Sequence, residues 1–441
     1  MSHRAGLGWR PLAAYGTLRA PLALVELPLF VLLPAFYSRS QGLDLALIGA
    51  VLFFTRLLDA VADPLIGTQL DRHRDRQDER RWIALALPVL AIGFAGMFLP
   101  PVTGNAAAAW LAFTSMVTYL AYSVVSIAYQ AWGSALGQTP SERARVTAMR
   151  EGFGLAGVLA ASALLAPEHA RTLIVCFVLL SVLAWRMMRH APAPHRPNGV
   201  GTAQAGVPPR SEGALASAWT AWREVLGNPL FRWLLAAFVL NGVATAIPAT
   251  LVLFFTRDVL GADESQTAVL LVSYFLAGAL GMPMWTRLAR RFGLRNAWLL
   301  GMAFAVLAFM WALGLGRGDL LGFGMVCVLT GLALGSDLVM PPALLAALIA
   351  DAGHAGRREG AYFGVWSLAT KLNLALAAGL ALPILAWMGY VPGRNGDTLA
   401  LALTYAAVPS ALKLAAGLIV LLAPLPESIS RDPTPPEKAP A

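Results

Sequence analysis

Two acids set the chemical question. In the stretch RLLDAVADPLIGTQLDR, residues 56–72, Asp59 and Asp63 stand one helical turn apart within an apolar run. An i, i+4 pair lies on one helix face, and Arg56, three residues before Asp59, points with it. Pro64 has no N–H, so the carbonyl of Ala60 is released from the helix ladder. The face therefore offers two carboxylates and a carbonyl oxygen. Hard oxygen ligands suit sodium, and two like charges at close range suit a shared proton because they resist ionising together. A plainer alternative is that Arg56 neutralises Asp59 while Asp63 caps the kink at Pro64.

The other ionisable residues noted inside apolar stretches are Glu26, Arg150, Glu151, Asp337, Lys371 and Lys413. A charge at the centre of a membrane helix costs roughly 2.5–3.5 kcal/mol on insertion scales, so each needs a partner or a wet cavity. Lys371 lies deep in its stretch, which disfavours snorkelling to the interface. Asp71 and Arg72, at the end of the second stretch, read as a gating or structural ion pair. Asn241, Tyr274, Tyr362, Trp366 and Asn373 are further residues able to line a cavity. His3, His73, His169, His190, His195 and His354 fall in loops or tails. No H-E-x-x-H, Gly-rich phosphate loop or Ser/His/Asp set is present, which argues against an enzyme. Cys176 and Cys327 lie inside apolar stretches, so no disulfide framework is implied.

These residues must be held by membrane helices. The 441-residue chain is 58% apolar and 13% charged, with mean hydropathy +0.64; a soluble domain is about 25% charged. Twelve apolar stretches approach the roughly 20 residues a membrane helix needs. They lie near 11–37, 44–69, 82–101, 106–136, 146–166, 171–188, 231–256, 265–288, 296–316, 320–350, 360–388 and 398–424. The expected fold class is thus an all-α integral membrane protein with 12 transmembrane helices in two six-helix bundles. The first stretch carries Glu26 and no small-residue cleavage site, so it reads as a retained helix rather than a signal peptide.

A net charge of +9 could suggest nucleic acid, but its placement argues otherwise. Basic residues crowd alternate loops and both tails, as with Arg72, Arg74, Arg76, Arg80 and Arg81, while the opposite loops hold Arg39, Arg171, Arg257, Arg317 and Arg394. This positive-inside pattern predicts an even number of spans and two cytoplasmic termini, in the cytoplasmic (inner) membrane, with anionic lipid headgroups as partners. The Pro/Gly/Ala-rich segment 189–228 reads as a flexible cytoplasmic linker. It divides the chain into a bundle at 1–188 and a bundle at 229–424, followed by a disordered cytoplasmic tail at 425–441. Two six-helix halves joined by a long inner loop is the layout of major facilitator transporters. Gly152, Gly154 and Gly157, Gly278 and Gly281, and Gly331 and Gly335 are spaced for close helix packing.

Three segments carry a resemblance. Arg56-x-x-Asp-Ala-x-x-Asp-Pro-x-x-Gly67, the run from Tyr129 through Glu142 to Glu151, and Ile349–Asp351 followed by Arg357–Phe363 and Lys371 resemble the glycoside–pentoside–hexuronide:cation symporters. This is the major facilitator branch that contains the melibiose permease. The resemblance implies an alternating-access symporter for a small solute, a sugar or glycoside, with co-transported Na⁺ or H⁺, no other cofactor or metal, and a monomer. It assigns cation binding to Asp59, Asp63 and Ser123, and a coupling charge network to Arg56, Lys371 and Arg150. It also exposes departures. The two aspartates that hold sugar in the melibiose permease fall on Ala23 and Ser126, and its sugar-contacting aromatic falls on Gln130, two residues before Trp132. Glu26, one turn from Ala23, and Asp337 are substitute acids. The expected substrate contacts are therefore Glu26, Ser126, Gln130, Trp132, Asp337, Tyr362, Trp366 and Asn373. A lysolipid-like or other amphipathic substrate, or cation-coupled efflux, is the alternative.

Overall fold

The computed structural model describes residues 8–30, 32–43, 45–72, 79–162, 164, 170–192, 214–390, 398–426 and 429. Every apolar stretch read from the sequence is helical among them. The first is built from α1 (Trp9–Gly16), α2 (Arg19–Phe30) and α3 (Leu32–Gln41). The next five are α4 (Leu45–Arg72), α5 (Glu79–Phe98), α6 (Asn105–Ser134), α7 (Pro140–Ser162) and α8 (Ala170–Met188). α9 (Ala214–Gly227) precedes α10 (Pro229–Phe254), α11 (Glu264–Phe292), α12 (Leu294–Ala312), α13 (Leu320–Asp351) and α14 (Glu359–Trp387). The last stretch comprises α15 (Thr398–Ala402), a π-turn at Leu403–Ala407 and α16 (Val408–Leu422). Eight helical segments among the described residues are long and apolar enough to cross a membrane. The chain is an all-helical, multi-pass membrane protein.

Local chemistry sets the helix ends. Asn228 caps α10 by accepting from the amides of Leu230 at 3.0 Å and Phe231 at 3.3 Å, with Pro229 in the first helical position. Asp263 and Gln266 form a reciprocal capping box at the start of α11. Gly293, at φ 86°, makes the sharp break between α11 and α12.

α9 departs from the flexible linker expected over 189–228. Residues 214–227, ALASAWTAWREVLG, lack proline and carry good helix formers, so this part of the segment is helical. Residues 193–213 of that linker, and the tail beyond Ile429, lie outside the described residues.

The chain forms two compact units that do not follow the sequence halves strictly. The first comprises Met1–Gly137, Met149–Gly227 and Ala352–Leu368; the second comprises Gln138–Ala148, Asn228–Asp351 and Ala369–Ala441. Helices α7 and α14 therefore contribute to both. In the first unit, reciprocal hydrogen bonds tie α1 to α6: Tyr15 Oη donates to the Tyr129 carbonyl at 3.0 Å, and Tyr129 Oη to the Tyr15 carbonyl at 2.8 Å. Gly157 lets α7 approach the backbone of α2, where a Cβ would lie 2.2 Å from the Ala20 oxygen. In the second unit a Cβ on Gly331 would lie 2.3 Å from the Tyr274 oxygen, and one on Gly281 2.9 Å from the Leu332 oxygen. Small residues thus set the closeness of α11 and α13, as their spacing predicted.

Candidate functional site

The two faces of α4 separate sharply. Phe53, at 62% exposure, with Phe54, Leu57, Leu58 and Val61, presents apolar surface outward. Asp59 is 4% exposed and Asp63 is fully buried on the opposite side, beside Ala60. The acids therefore point into the first unit. Ser123 Oγ of α6 donates to Asp59 Oδ1 at 2.8 Å, so the structure joins two of the three expected cation ligands. Ser367 Oγ of α14 donates to Asp63 Oδ2 at 2.6 Å. Arg56 donates to the Tyr119 hydroxyl at 3.3 Å and to the Leu29 carbonyl at 3.0 Å.

Glycine stacking brings Ser367 to Asp63. A Cβ on Gly67 would sit 2.0 Å from the Gly360 oxygen, and one on Gly360 2.2 Å from the Gly67 oxygen. A Cβ on Gly364 would meet the Asp63 oxygen at 2.7 Å and Pro64 Cα at 2.8 Å. Gly360, Gly364 and Ser367 follow i, i+4, i+7 spacing, so one small-residue stripe of α14 lies on α4 and ends in the hydroxyl that reaches the acid. Further along, Asp71 accepts from the amides of Gly360 and Ala361, both at 2.8 Å. A carboxylate at the helix start satisfies free N–H groups and the positive end of the α14 dipole.

A second polar cluster of the first unit forms around Glu26. Arg19 Nη1 donates to Glu26 Oε1 at 2.8 Å and to the Tyr122 hydroxyl at 3.2 Å, and Tyr122 donates to the same carboxylate. Arg19 also lies 3.6 Å from Glu151, to which Arg150 donates at 2.7 Å. The side chains of Arg19 and Glu26 are 21% and 33% exposed, more open than Arg150 and Glu151. Sequence reasoning found Glu26 and Arg150 and missed Arg19 and Tyr122. Arg19 stands seven residues before Glu26 in the same apolar stretch, two turns away on one face, and that spacing was the available signal.

The remaining expected substrate contacts have varied surroundings. Gln130 donates to Ser126 Oγ at 3.2 Å, one turn along α6 from Tyr122. Trp132 is fully buried; its indole donates to the Pro192 carbonyl at 3.2 Å and Arg80 stacks over its ring at 4.8 Å. That contact set is packing, so the large aromatic does not present a free face to a solute. Tyr362 is also fully buried, with its hydroxyl 2.9 Å from His354 Nδ1, and Trp366 is buried. Asn373 packs against Gly242 with its side-chain oxygen buried and without a hydrogen-bond partner. Lys371 belongs to the second unit, partly exposed on α14. Asp337, also of the second unit, is tied to Lys413 at 2.6 Å.

At the start of α14, α9 adds a polar clasp. Trp222 donates to the Pro64 carbonyl at 3.3 Å, and Glu224 pairs with Arg358 at 2.7 Å and lies 3.4 Å from His354. Burial lowers the pKa of His354 below its ordinary 6.5, against the opposing pull of Glu224. Among the described residues no group of His, Cys, Asp and Glu could hold a metal ion in the manner of a resident site.

Comparison with known proteins matches this architecture. The family described as MFS/sugar transport protein matches residues 14–427. The isoprimeverose transporter of Lactiplantibacillus pentosus is 22% identical over 389 residues, covering 83% of this chain and 78% of its own length. The inner membrane symporter YicJ of Escherichia coli is 29% identical over 134 residues, 30% of this chain and 29% of its own length. The chain thus aligns with under a third of YicJ. The crystal structure of the E. coli fucose:proton symporter FucP superposes with a TM-score of 0.65 at 15% identity, covering 94% of this chain and 99% of that one. Fold and relatives are those of transporters rather than enzymes. This chain belongs to the MFS/sugar transport protein family of the major facilitator superfamily.

Proposed function

We propose that the protein is a cation-coupled symporter that moves a small hydroxylated solute, a sugar or glycoside, across the cytoplasmic membrane by alternating access, with both termini cytoplasmic. One observation carries the reading: two carboxylates, both buried on the inner face of α4, each hydrogen-bonded to a serine hydroxyl. A Na⁺ or a proton there neutralises charge that is costly to enclose, at roughly 2.5–3.5 kcal/mol per uncompensated charge. Only the loaded site then passes readily through the occluded state, and the solute shares that dependence through linkage.

The solute meets Glu26, Arg19 and Tyr122. A carboxylate accepts from adjacent hydroxyls, a guanidinium donates to them, and a phenol does either. Ser126 and Gln130 extend the same helix. Coupling has a short route: Tyr122 holds Glu26 and the next residue, Ser123, holds Asp59. A shift of α6 that optimises one contact moves the other. Lys371, Arg150 and Arg56 adjust the charge balance, and Asp71 with Arg72 gates the cytoplasmic end.

The experiment is uptake into proteoliposomes of a panel of labelled sugars, beginning with isoprimeverose, fucose and melibiose, under imposed Na⁺ or H⁺ gradients. At least one is expected to accumulate with an inward cation gradient and not with an outward one. Accumulation driven only by an outward gradient would replace symport with antiport. A response to lysolipids alone would replace the solute class.

A further inference from the structure

The second unit holds a charged cluster that the proposed transport cycle does not use. Lys413 of α16 is 2% exposed. Its ammonium donates to Asp337 Oδ2 of α13 at 2.6 Å, and to Asn241 Oδ1 and Thr245 Oγ1 of α10 at 2.8 and 3.2 Å. An ammonium has three N–H groups, and here each meets an oxygen of a different kind: carboxylate, amide carbonyl and hydroxyl. Thr245 also donates to the Asn241 backbone carbonyl at 3.0 Å, which leaves oxygen lone pairs for the ammonium. The other carboxylate oxygen, Asp337 Oδ1, accepts from the indole of Trp298 on α12 at 3.1 Å. Gly301 lets α12 close on α13 beside this point, since a Cβ there would sit 2.3 Å from Ser336 Oγ. Three helices, α10, α12 and α13, thus place the three oxygens around the lysine that α16 delivers.

An oxygen set of this composition is what alkali cations take from proteins: hard, and carrying one net negative charge. The ammonium supplies the matching positive charge at the end of a covalent tether. We infer that Lys413 is a built-in cation seated in an oxygen socket formed by Asp337, Asn241 and Thr245, and that this socket accepts Na⁺, Li⁺ or a proton once the ammonium is removed. In the intact protein the lysine keeps this site independent of solution ions. The inference stands apart from the proposed function, because it concerns the second unit alone.

The test uses the full-length protein in detergent, with Asp59→Asn as the background so that the α4 acids do not report. Melting temperature is measured for Lys413→Ala in NaCl, LiCl and choline chloride of equal ionic strength, and between pH 8 and pH 5.5. In choline at pH 8, Lys413→Ala leaves a buried carboxylate without its cation and melts lower than the background. Na⁺, Li⁺ or acid is expected to restore about 5 °C relative to choline. Adding Asp337→Asn removes the charge that attracts the ion, so the restoration disappears while stability in choline rises. Three results overturn the inference: no difference between Na⁺, Li⁺, acid and choline; a restoration that survives Asp337→Asn; or a Lys413→Ala protein that fails to fold in every one of these media. Any of them makes Lys413 a packing staple only.

Discussion

The two units solve one electrostatic problem differently. In the first, α4 buries two acids one turn apart and meets each with a serine hydroxyl. In the second, α13 buries one acid and α16 delivers a lysine to it at 2.6 Å. Counting Arg56, the α4 face carries a net charge of −1, whereas the Asp337–Lys413 cluster is neutral by composition. A neutral pair holds helices together whatever the surrounding salt. A net acid must be balanced from elsewhere, and that requirement is what a transporter can couple to movement. On the proposed function, the α4 acids are the coupling site and the neutral Asp337–Lys413 pair is not.

The largest expected effect breaks the first side of this comparison. Asp59→Asn or Asp63→Asn should lower cation-driven accumulation by about 100-fold, the equivalent of one uncompensated membrane charge, while insertion and expression persist. Uptake along imposed gradients in proteoliposomes measures it. Next, Gly364→Val should lower transport about tenfold, because even a Cβ meets the backbone of Asp63 and Pro64 within 3 Å. Gly364→Ala should retain folding at a cost of about 1–3 kcal/mol, visible as a lower melting temperature. A smaller effect belongs to the hydroxyls. Ser123→Ala removes one hydrogen bond to a charged group and should weaken the apparent cation affinity about tenfold, leaving solute counterflow intact. Glu26→Gln should do the reverse, raising the half-saturating solute concentration about tenfold with little change in ion dependence.

The smallest effect lies at the α9 clasp. Because the folded pKa of His354 is below 6.5, the folded state binds fewer protons than the unfolded chain as pH falls through that value. The stability it contributes is present above pH 6.5 and is lost on acidification. The groups facing it are Glu224, Arg357, Arg358, Glu359 and Tyr362. His354→Gln should therefore flatten the melting temperature between pH 7.5 and 5.5, read by a thermal scan at each pH.

Much of this was legible in the sequence because lipid imposes long apolar runs, and each of the twelve is helical among the described residues. Asp59, Asp63 and Ser123 could be singled out since an acid in such a run is rare and the surrounding motif resembles a known symporter family. Their inward direction follows from Phe53, Phe54, Leu57, Leu58 and Val61 filling the other face of α4, a pattern present in the sequence itself. Long-range pairings left no such local trace. Lys413 and Asp337 were both visible as charges within spans, yet 76 residues separate them and no periodicity links α13 to α16. Ser367 is an ordinary serine until Gly360 and Gly364 bring its helix against α4. Trp132 was expected among the substrate contacts because it lies two residues past Gln130, but Arg80 and the Pro192 carbonyl, from other segments, enclose it. α9 was hidden by its Pro- and Gly-rich neighbours, although its own fourteen residues are good helix formers.

The most direct measurement is ion-specific stabilisation of the purified wild type beside Asp59→Asn and Asp63→Asn, titrated with NaCl, LiCl and choline chloride at pH 8 and with protons down to pH 5.5. The wild type should gain melting temperature with Na⁺, Li⁺ or acid and not with choline, and both variants should lose that gain. An undiminished ion-specific gain in either variant would contradict the assignment of the α4 acids as the cation site.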